Sequence, residues 1–365
     1  MKNTGSSEEE VFSYLSSVRR EDLEYTSILS SMCTPPHPVA VRAHMQFIET
    51  NLGDPGLFPG TMKLEDELIS ILGELLNHPG AGGYATSGGT ESNIQALRIA
   101  EKLKKVKSPN VVIPASAHFS FDKACDMLGL EMRSVPLDGQ FRMDPDSVNE
   151  AIDKKTVAIV GVVGTTEYGM IDPIVEIGKI ADDAGIFFHV DAAFGGLVAP
   201  FLDDVLPWDF SVPSVSSVSV DPHKMGMSTI PCGALLLRDS SAFGCLNVDT
   251  PYLTVKKECT LAGTRPGAPV AGAYAVFRYL GREGLSAIVS GCMENTRRLI
   301  EGMEAFGYSR AVTPDVNVAT FDCPKTPQRW CVSRTRKGHM RIVLMPHVTR
   351  DIVESFIHTI GEQDA

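Results

Sequence analysis

The chain has no long apolar run, no paired-cysteine pattern and no extended basic stretch. No uninterrupted apolar segment approaches the roughly 20 residues that a membrane-spanning helix needs, so a membrane-embedded protein is not expected. The 8 cysteines, at 33, 125, 232, 245, 259, 292, 323 and 331, are scattered without a single Cys-x-x-Cys pair. That spacing offers neither a disulfide framework nor a zinc site; free thiols in a reducing compartment and no bound metal are the expectation. Lys and Arg number 33 against 45 Asp and Glu, for a net charge of −12, and only Lys102–Lys107 and Arg334–Lys337 gather positive charge. A nucleic-acid partner has no electrostatic footprint here, and neither has an anionic membrane surface. Internal repeats and low-complexity segments are absent. The first ten residues are polar and acidic, unlike a secretory signal, so a cytoplasmic location is expected.

What is present suits one large α/β domain and a smaller one. The 365 residues are 43% hydrophobic and 21% charged, ordinary for a globular protein. Glu8 to Met32 carries Val11, Leu15, Val18, Leu23, Ile28 and Leu29 at helical spacing and predicts an N-terminal helix or helix pair. After the break at Pro35-Pro36-His37-Pro38, a helix is predicted from Val39 to Glu49. Asn51 to Gly60 is a loop on its glycine and proline content, and Leu57 and Phe58 within it either anchor the loop to the core or line a substrate pocket. Thr61 is placed to cap a helix running from Met62 to Leu76.

Residues 80–85 formally match a G-x-G-x-x-A dinucleotide fingerprint, but the segment before them reads as a helix end rather than a strand. Thr86-Ser87-Gly88-Gly89-Thr90-Glu91 is the stronger candidate. Its small residues leave backbone N–H groups open, and Thr90 begins a helical pattern that runs to Val106. An unpaired helix N-terminus of this kind is either a phosphate cradle or an ordinary cap with a flexible lead-in.

From there strand and helix alternate, which predicts a mostly parallel sheet with helical crossovers. Four apolar runs, Asn110–Pro114, Thr156–Val163, Ile186–Val190 and Val215–Val220, are each followed within a few residues by a polar group: His118, Thr165, Asp191 and Lys224. Ligands of open α/β sheets bind outside the carboxyl ends of the strands. A lysine and a carboxylate delivered to that edge, beside a phosphate cradle, point to pyridoxal phosphate. Lys224 is then the amine that forms a Schiff base, with its pKa lowered by desolvation, and Asp191 keeps the pyridine nitrogen protonated. Gly88, Gly89 and Thr90 anchor the phosphate. His118 stacks on one ring face or is a satisfied loop histidine, and Ala193 is small enough to underlie the other face. Thr165 bonds the ring hydroxyl or closes a Gly-Thr-Thr turn.

Beyond Arg238 the pattern loosens. Residues 247–263 are irregular and contain Tyr252. A small-residue helix from Ala268 to Leu280, a longer one to about Phe306, strands at Val316–Phe321, Trp330–Ser333 and Met340–Met345, and a helix from Thr349 to Ile360 complete the chain. Three parts are expected: 1–60, a helical segment and active-site loop; 61–268, the cofactor-binding domain; and 269–365, a small α/β domain.

Thr86–Asn93, Ala117–Ser120, His189–Gly196 and Asp221–Met225 resemble the group II pyridoxal-phosphate decarboxylases, which share the fold-type-I aminotransferase architecture. Asn51–Gly60, Gly164–Asp172, Gly263–Gly267 and Arg341–Thr349 resemble the archaeal branch of that family, so the likeness spans nearly the whole chain. It implies Lys224 as the Schiff-base lysine, Asp191 as the pyridinium partner, His118 as the stacking imidazole and the phosphate at Gly89 and Thr90. Asp221 and His223 would help at the phosphate end. Arg341 stands where such enzymes keep a carboxylate-binding arginine, with a surface ion pair as the alternative. The resemblance further implies a homodimer with active sites at the subunit interface and Thr264 reaching the neighbour's phosphate.

One departure concerns the long mobile loop of larger animal and plant members, which carries a tyrosine that protonates Cα. The corresponding segment here, Phe243–Gly263, is short, and Tyr252 is its only tyrosine; it either donates that proton or packs in the core. The implied reaction is α-decarboxylation of an L-amino acid. Its substrates would be L-tyrosine, giving tyramine for methanofuran, and L-aspartate, giving β-alanine for coenzyme A. The Gly263–Gly267 region also resembles the sphingosine-phosphate lyases, which leaves carbon–carbon bond cleavage as the second reading.

Overall fold

The computed structural model describes residues 3–325 and 327–362. Helix α1 (Glu8–Arg19) opens with a capping box: the Ser7 hydroxyl accepts the Glu10 N–H while the Glu10 carboxylate takes the N–H of Ser7. Helices α2 (Pro38–Gln46) and α3 (Pro59–Leu75) follow. Alternation then begins with β1 (Gly82–Thr86), α4 (Gly89–Lys104), β2 (Asn110–Pro114), α5 (Ser120–Leu128) and β3 (Glu131–Val135). It continues through α6 (Pro145–Ala151), β4 (Thr156–Val162), α7 (Ile174–Ala184), β5 (Phe187–Asp191), β6 (Val215–Val220) and β7 (Gly233–Leu237). A short ribbon, β8 (Val248–Asp249) with β9 (Lys257–Glu258), leads into α8 (Ala268–Ala305), which breaks at Gly281. Strands β10 (Val318–Phe321), β11 (Ser333–Arg334) and β12 (Met340–Val343) and helix α9 (Arg350–Glu362) follow.

The large sheet has seven strands in the order β1-β7-β6-β5-β4-β2-β3. Strands β2 to β6 pair in parallel, and β7 runs antiparallel to both of its neighbours. The four strands legible in the sequence are its centre. Strands β2 and β4 are apolar without alternation because helices cover both faces, while β6 sets buried Ser217 and Ser219 among its valines. On one face Val112, Ile159, Phe188 and Val190 join a core that runs on into Val318 and Phe356; on the other Val111, Ile113 and Val160 pack with Leu97 and Phe121 of α4 and α5. Each fully buried side chain of this size contributes about 1.5–3 kcal/mol.

Three strands lacked a legible signal. Strand β1 is the same 80–85 stretch that mimicked a dinucleotide motif, and glycine suits it because a Cβ at Gly83 would lie 2.4 Å from the Leu235 carbonyl oxygen of β7. Strand β3 is a polar edge strand, and β7 is short and glycine-led. The N-terminal expectation is also corrected. Glu8–Arg19 is the α-helical part and no residue of it is buried; a single 3-10 turn follows at Tyr25–Ser27, and Ile28 and Leu29 then run extended beside Cys331 and Val343. Thr61 does not cap α3: it lies buried inside the first turn, and Phe58 occupies the cap position without a side-chain bond. The C-terminal strands form a three-stranded antiparallel sheet, β10-β12-β11.

Candidate active site

The carboxyl ends of β4, β5 and β6 and the N-terminus of α4 enclose a cavity of about 340 Å³. Lys224, Asp191, His118, Gly88, Gly89, Thr90, Ala193, Asp221 and His223 all line it. Residues separated by more than a hundred positions thus meet at the edge where a parallel sheet presents ligands.

One end is built for an anion. Gly88 caps α4 with φ +142°, a conformation that residues with a Cβ rarely adopt, and makes no side-chain cap. The first-turn N–H groups of Gly89, Thr90 and Glu91 therefore have no partner within the helix and face the cavity end. A Cβ at Gly88 would come within 3.0 Å of His223 Cε1, and one at Gly89 within 2.8 Å of the Ala193 Cβ, so side chains there would fill the cradle. Glu91 does not oppose an anion, because its carboxylate turns back to accept the Ser87 N–H at 2.9 Å and the Tyr84 hydroxyl at 3.3 Å.

Lys224 follows β6 by one tight turn and places Nζ 3.1 Å from Asp221 Oδ2. Burial alone would lower its pKa, as expected from the sequence. The charges of Asp221 and Asp191 and the hydrogen bond to Asp221 outweigh burial, and the net shift in the chain alone is upward. Asp221 Oδ1 is buried without a hydrogen-bond partner, and His223 Nε2 lies 3.8 Å from Oδ2. Asp221 thus meets this end of the cavity through its contacts with Lys224 and His223. His223 is fixed by Nδ1 against the Cys232 carbonyl at 2.6 Å, and burial pushes its pKa down.

At the other end, Asp191 is the last residue of β5. Its Oδ1 accepts the Ala193 N–H at 3.1 Å and the Ser219 hydroxyl at 3.2 Å, and Oδ2 accepts Asn93 Nδ2 at 2.9 Å. Of roughly four lone-pair positions on a carboxylate, one stays open, which suits a single ring N–H. His118 accepts the Ser120 N–H on Nδ1 at 3.2 Å and packs on Phe119, ring centroids 3.9 Å apart. Burial lowers its pKa against the opposing pull of Asp191.

Asn93, Phe119 and Thr166 also line the cavity and were not singled out from the sequence. Asn93 lies within Thr86–Asn93, four positions after Gly89 and thus on the same helical face, which is the sequence signal for it. Thr165 lies beside the cavity rather than in it; its hydroxyl accepts the Met170 N–H at 3.0 Å and closes a turn, and the neighbouring Thr166 reaches the wall.

The remaining candidates are elsewhere. Arg341, only 6% exposed, donates Nε to the Thr166 carbonyl and Nη1 to the Ser30 carbonyl at 2.9 Å and to Ser333 Oγ at 3.0 Å. No carboxylate lies within ion-pair distance of it among the described residues, and burial lowers its pKa to about 10. Leu57 is 64% exposed and Tyr252 85% exposed, so neither packs in the core. Phe58 is partly buried at the start of α3. The loops carrying Leu57 and Tyr252 are tied together, since Asp54 accepts from the Thr254 N–H at 3.0 Å and Thr254 Oγ1 from the Gly56 N–H at 3.0 Å. Thr264 borders a separate small void behind Ser87, and Arg265 is spent on a buried ion pair with Glu65 at 2.5 Å.

The sequence of the family described as the pyridoxal-dependent decarboxylase conserved domain matches residues 45–319. A probable L-tyrosine/L-aspartate decarboxylase of Methanoculleus marisnigri is 70% identical over 365 residues, 100% of both chains. A probable L-aspartate decarboxylase of Archaeoglobus fulgidus is 47% identical and covers 95% of this chain and 97% of its own. Among solved structures, a Burkholderia pseudomallei sphingosine-1-phosphate lyase superposes with a TM-score of 0.91 at 25% identity, over 99% of this chain and 91% of that one. A Lactobacillus brevis glutamate decarboxylase gives 0.92 at 20% identity, over 99% and 93%. The α/β architecture is that of fold-type-I enzymes. With a family match across three quarters of its length and relatives aligned end to end, this chain belongs to the pyridoxal-dependent decarboxylases, and its cofactor is pyridoxal 5'-phosphate.

Proposed function

We propose that the cavity between α4 and the ends of β4, β5 and β6 is the cofactor and reaction site of an amino-acid α-decarboxylase acting on L-tyrosine, L-aspartate or both. The observation that carries this reading is the meeting, in one chamber, of a half-buried lysine, a carboxylate with one open lone pair and an uncapped glycine-led helix N-terminus. These residues fit pyridoxal 5'-phosphate. Lys224 would hold its aldehyde carbon, Asp191 its ring nitrogen, and the Gly88–Thr90 turn with His223 its phosphate; His118 and Ala193 would border the ring. When bound, the cofactor draws off the electron pair left at Cα as the substrate's carboxylate departs as carbon dioxide.

The chain's own residues supply the rest. Asp221 holds Lys224 aimed into the cavity, and its charge favours the ammonium form. Arg341, a buried cation without an ion-pair partner among the described residues and bonded to the carbonyl of the cavity residue Thr166, would be the group for a substrate carboxylate. Leu57, Phe58 and Tyr252 lie outside the single-chain cavity, on or beside exposed loops. That placement supports a homodimer in which these loops complete a neighbour's site, with Tyr252 as the Cα proton donor and Thr264 near the neighbour's phosphate. Exposed Val41 and Met45 on one stripe of α2 support the same association. The substrates rest on the names of the relatives; tyramine would feed methanofuran and β-alanine coenzyme A, in the cytoplasm. We assign residues 1–60 to substrate loops and packing, 61–268 to the cofactor and 269–365 to the substrate carboxylate.

The test is an amine-product assay on cofactor-loaded protein offered L-tyrosine, L-aspartate and a long-chain phosphorylated amine. Tyramine or β-alanine, absent with Lys224→Ala, is the expected result. Aldehyde from the phosphorylated amine with no amine product would replace decarboxylation by carbon–carbon cleavage.

A further inference from the structure

Asn93 lines the cavity from the helix of the phosphate end and bonds the carboxylate at the other end. It stands on α4 one turn beyond Gly89 and is 1% exposed. Its Nδ2 donates to Asp191 Oδ2 at 2.9 Å and to Ser120 Oγ at 3.0 Å, and its Oδ1 meets His189 Nε2 at 2.9 Å. His189 is fully buried and its pKa is depressed to about 4 by that burial, so it is neutral; its Nδ1 lies 2.8 Å from Ser217 Oγ. A neutral imidazole carries one N–H, which leaves a single consistent arrangement. The Ser217 hydroxyl donates to Nδ1, Nε2–H donates to Asn93, and both amide protons of Asn93 go to Asp191 and Ser120. Three partners fix the orientation of the amide.

We propose that Asn93 is a positioning residue that sets the Asp191 carboxylate at a fixed distance from the phosphate-binding turn and supplies one of its hydrogen-bond donors. The proposal rests on Asp191 as the partner of the ring nitrogen. Two features make it more than packing. A donor to a carboxylate favours ionisation, which the ring nitrogen needs opposite it. The donor also comes from the same helix whose first turn faces the phosphate, so a shift of α4 would move both contacts together.

The experiment titrates apoenzyme with pyridoxal 5'-phosphate across a pH series and reads dissociation constant, visible band and kcat. Asn93→Ala is expected to weaken cofactor binding about tenfold or more and to lower kcat about 10- to 100-fold, the loss of one bond to a charged group. Ser120→Ala removes the other amide partner and should stay within about threefold of wild type. Asn93→Asp keeps the shape but donates only while protonated. Relative to wild type, its affinity and kcat should fall as pH rises, because the ionised carboxyl would face Asp191. A merely structural role would lower the melting temperature and leave that ratio flat. Asn93→Asp carries the test alone if Asn93→Ala does not fold. Wild-type binding in Asn93→Ala, or a flat pH ratio in Asn93→Asp, would overturn the proposal. If Asp191→Ala is also silent, the assignment of Asp191 fails with it; if Asp191→Ala is impaired and the Asn93 variants are not, only the role of Asn93 falls.

Discussion

At the scale of single residues, the chemistry is set by which charges stand beside Lys224. Asp221 and Asp191 raise its pKa against burial, so the free amine that must meet the cofactor's aldehyde is scarce at neutral pH. Asp221→Asn removes the nearer charge and lowers that pKa. Cofactor uptake should then begin at lower pH than in wild type, measured as the pH dependence of the rate at which the visible band appears. His189 gives a second pH signature. Its pKa is near 6.5 in the unfolded chain and about 4 in the fold, so the unfolded state binds more protons between those values. Its contribution to stability is present above about pH 6.5 and is lost as pH falls toward 4. Denaturant unfolding of wild type and His189→Gln should show a stability difference that shrinks on acidification across that window. Lys224, Asp191 and His118 were legible in the sequence because each follows a strand end within a few positions. Asn93 was not, since its role depends on how α4 lies against β5, a relation no local pattern encodes.

At the scale of elements, the cradle depends on where β1 and the start of α4 are held. Glu65 of α3 accepts the Ala85 N–H at 2.9 Å, and Arg265 donates to the Ala85 carbonyl at 3.1 Å while pairing with Glu65. This buried pair clamps β1, two residues before the cradle, to a helix and a loop that are distant in sequence. Breaking it from one side leaves an uncompensated charge, so Arg265→Met should cost about 3–5 kcal/mol in denaturant unfolding. Gly89→Ala tests the cradle itself: its new Cβ, 2.8 Å from that of Ala193, should weaken cofactor binding about tenfold or more in a titration. The central strands were legible from their β-branched runs. Strand β1 was not, because close approach to β7 selects glycine there and erases the usual strand composition. The start of α3 differs from the one Thr61 suggests because proline at position 59 opens the helix three residues earlier than a cap at that hydroxyl would.

At the scale of the whole molecule, the site as one chain presents it holds cofactor-sized space but keeps Leu57 and Tyr252 in solvent. The proposed sharing of sites in a homodimer would account for that placement. Mixing unfolded-and-refolded Lys224→Ala and Tyr252→Phe subunits tests it, because a hybrid dimer would carry one site with both wild-type residues. Random pairing should restore about a quarter of wild-type activity, whereas sites confined to one chain would restore none. Cofactor class and fold were within reach of the sequence because they rest on strand ends. Assembly was not, because it depends on surfaces that only a second copy covers.

The most direct test of the central claim is borohydride treatment of the cofactor-loaded protein followed by peptide mass mapping, which marks the amine that holds the cofactor. The account predicts a single modified peptide containing Lys224, and none in the Lys224→Ala variant. A cofactor fixed to any other lysine, or an unmodified Lys224 peptide in a protein that decarboxylates its substrate, would contradict it.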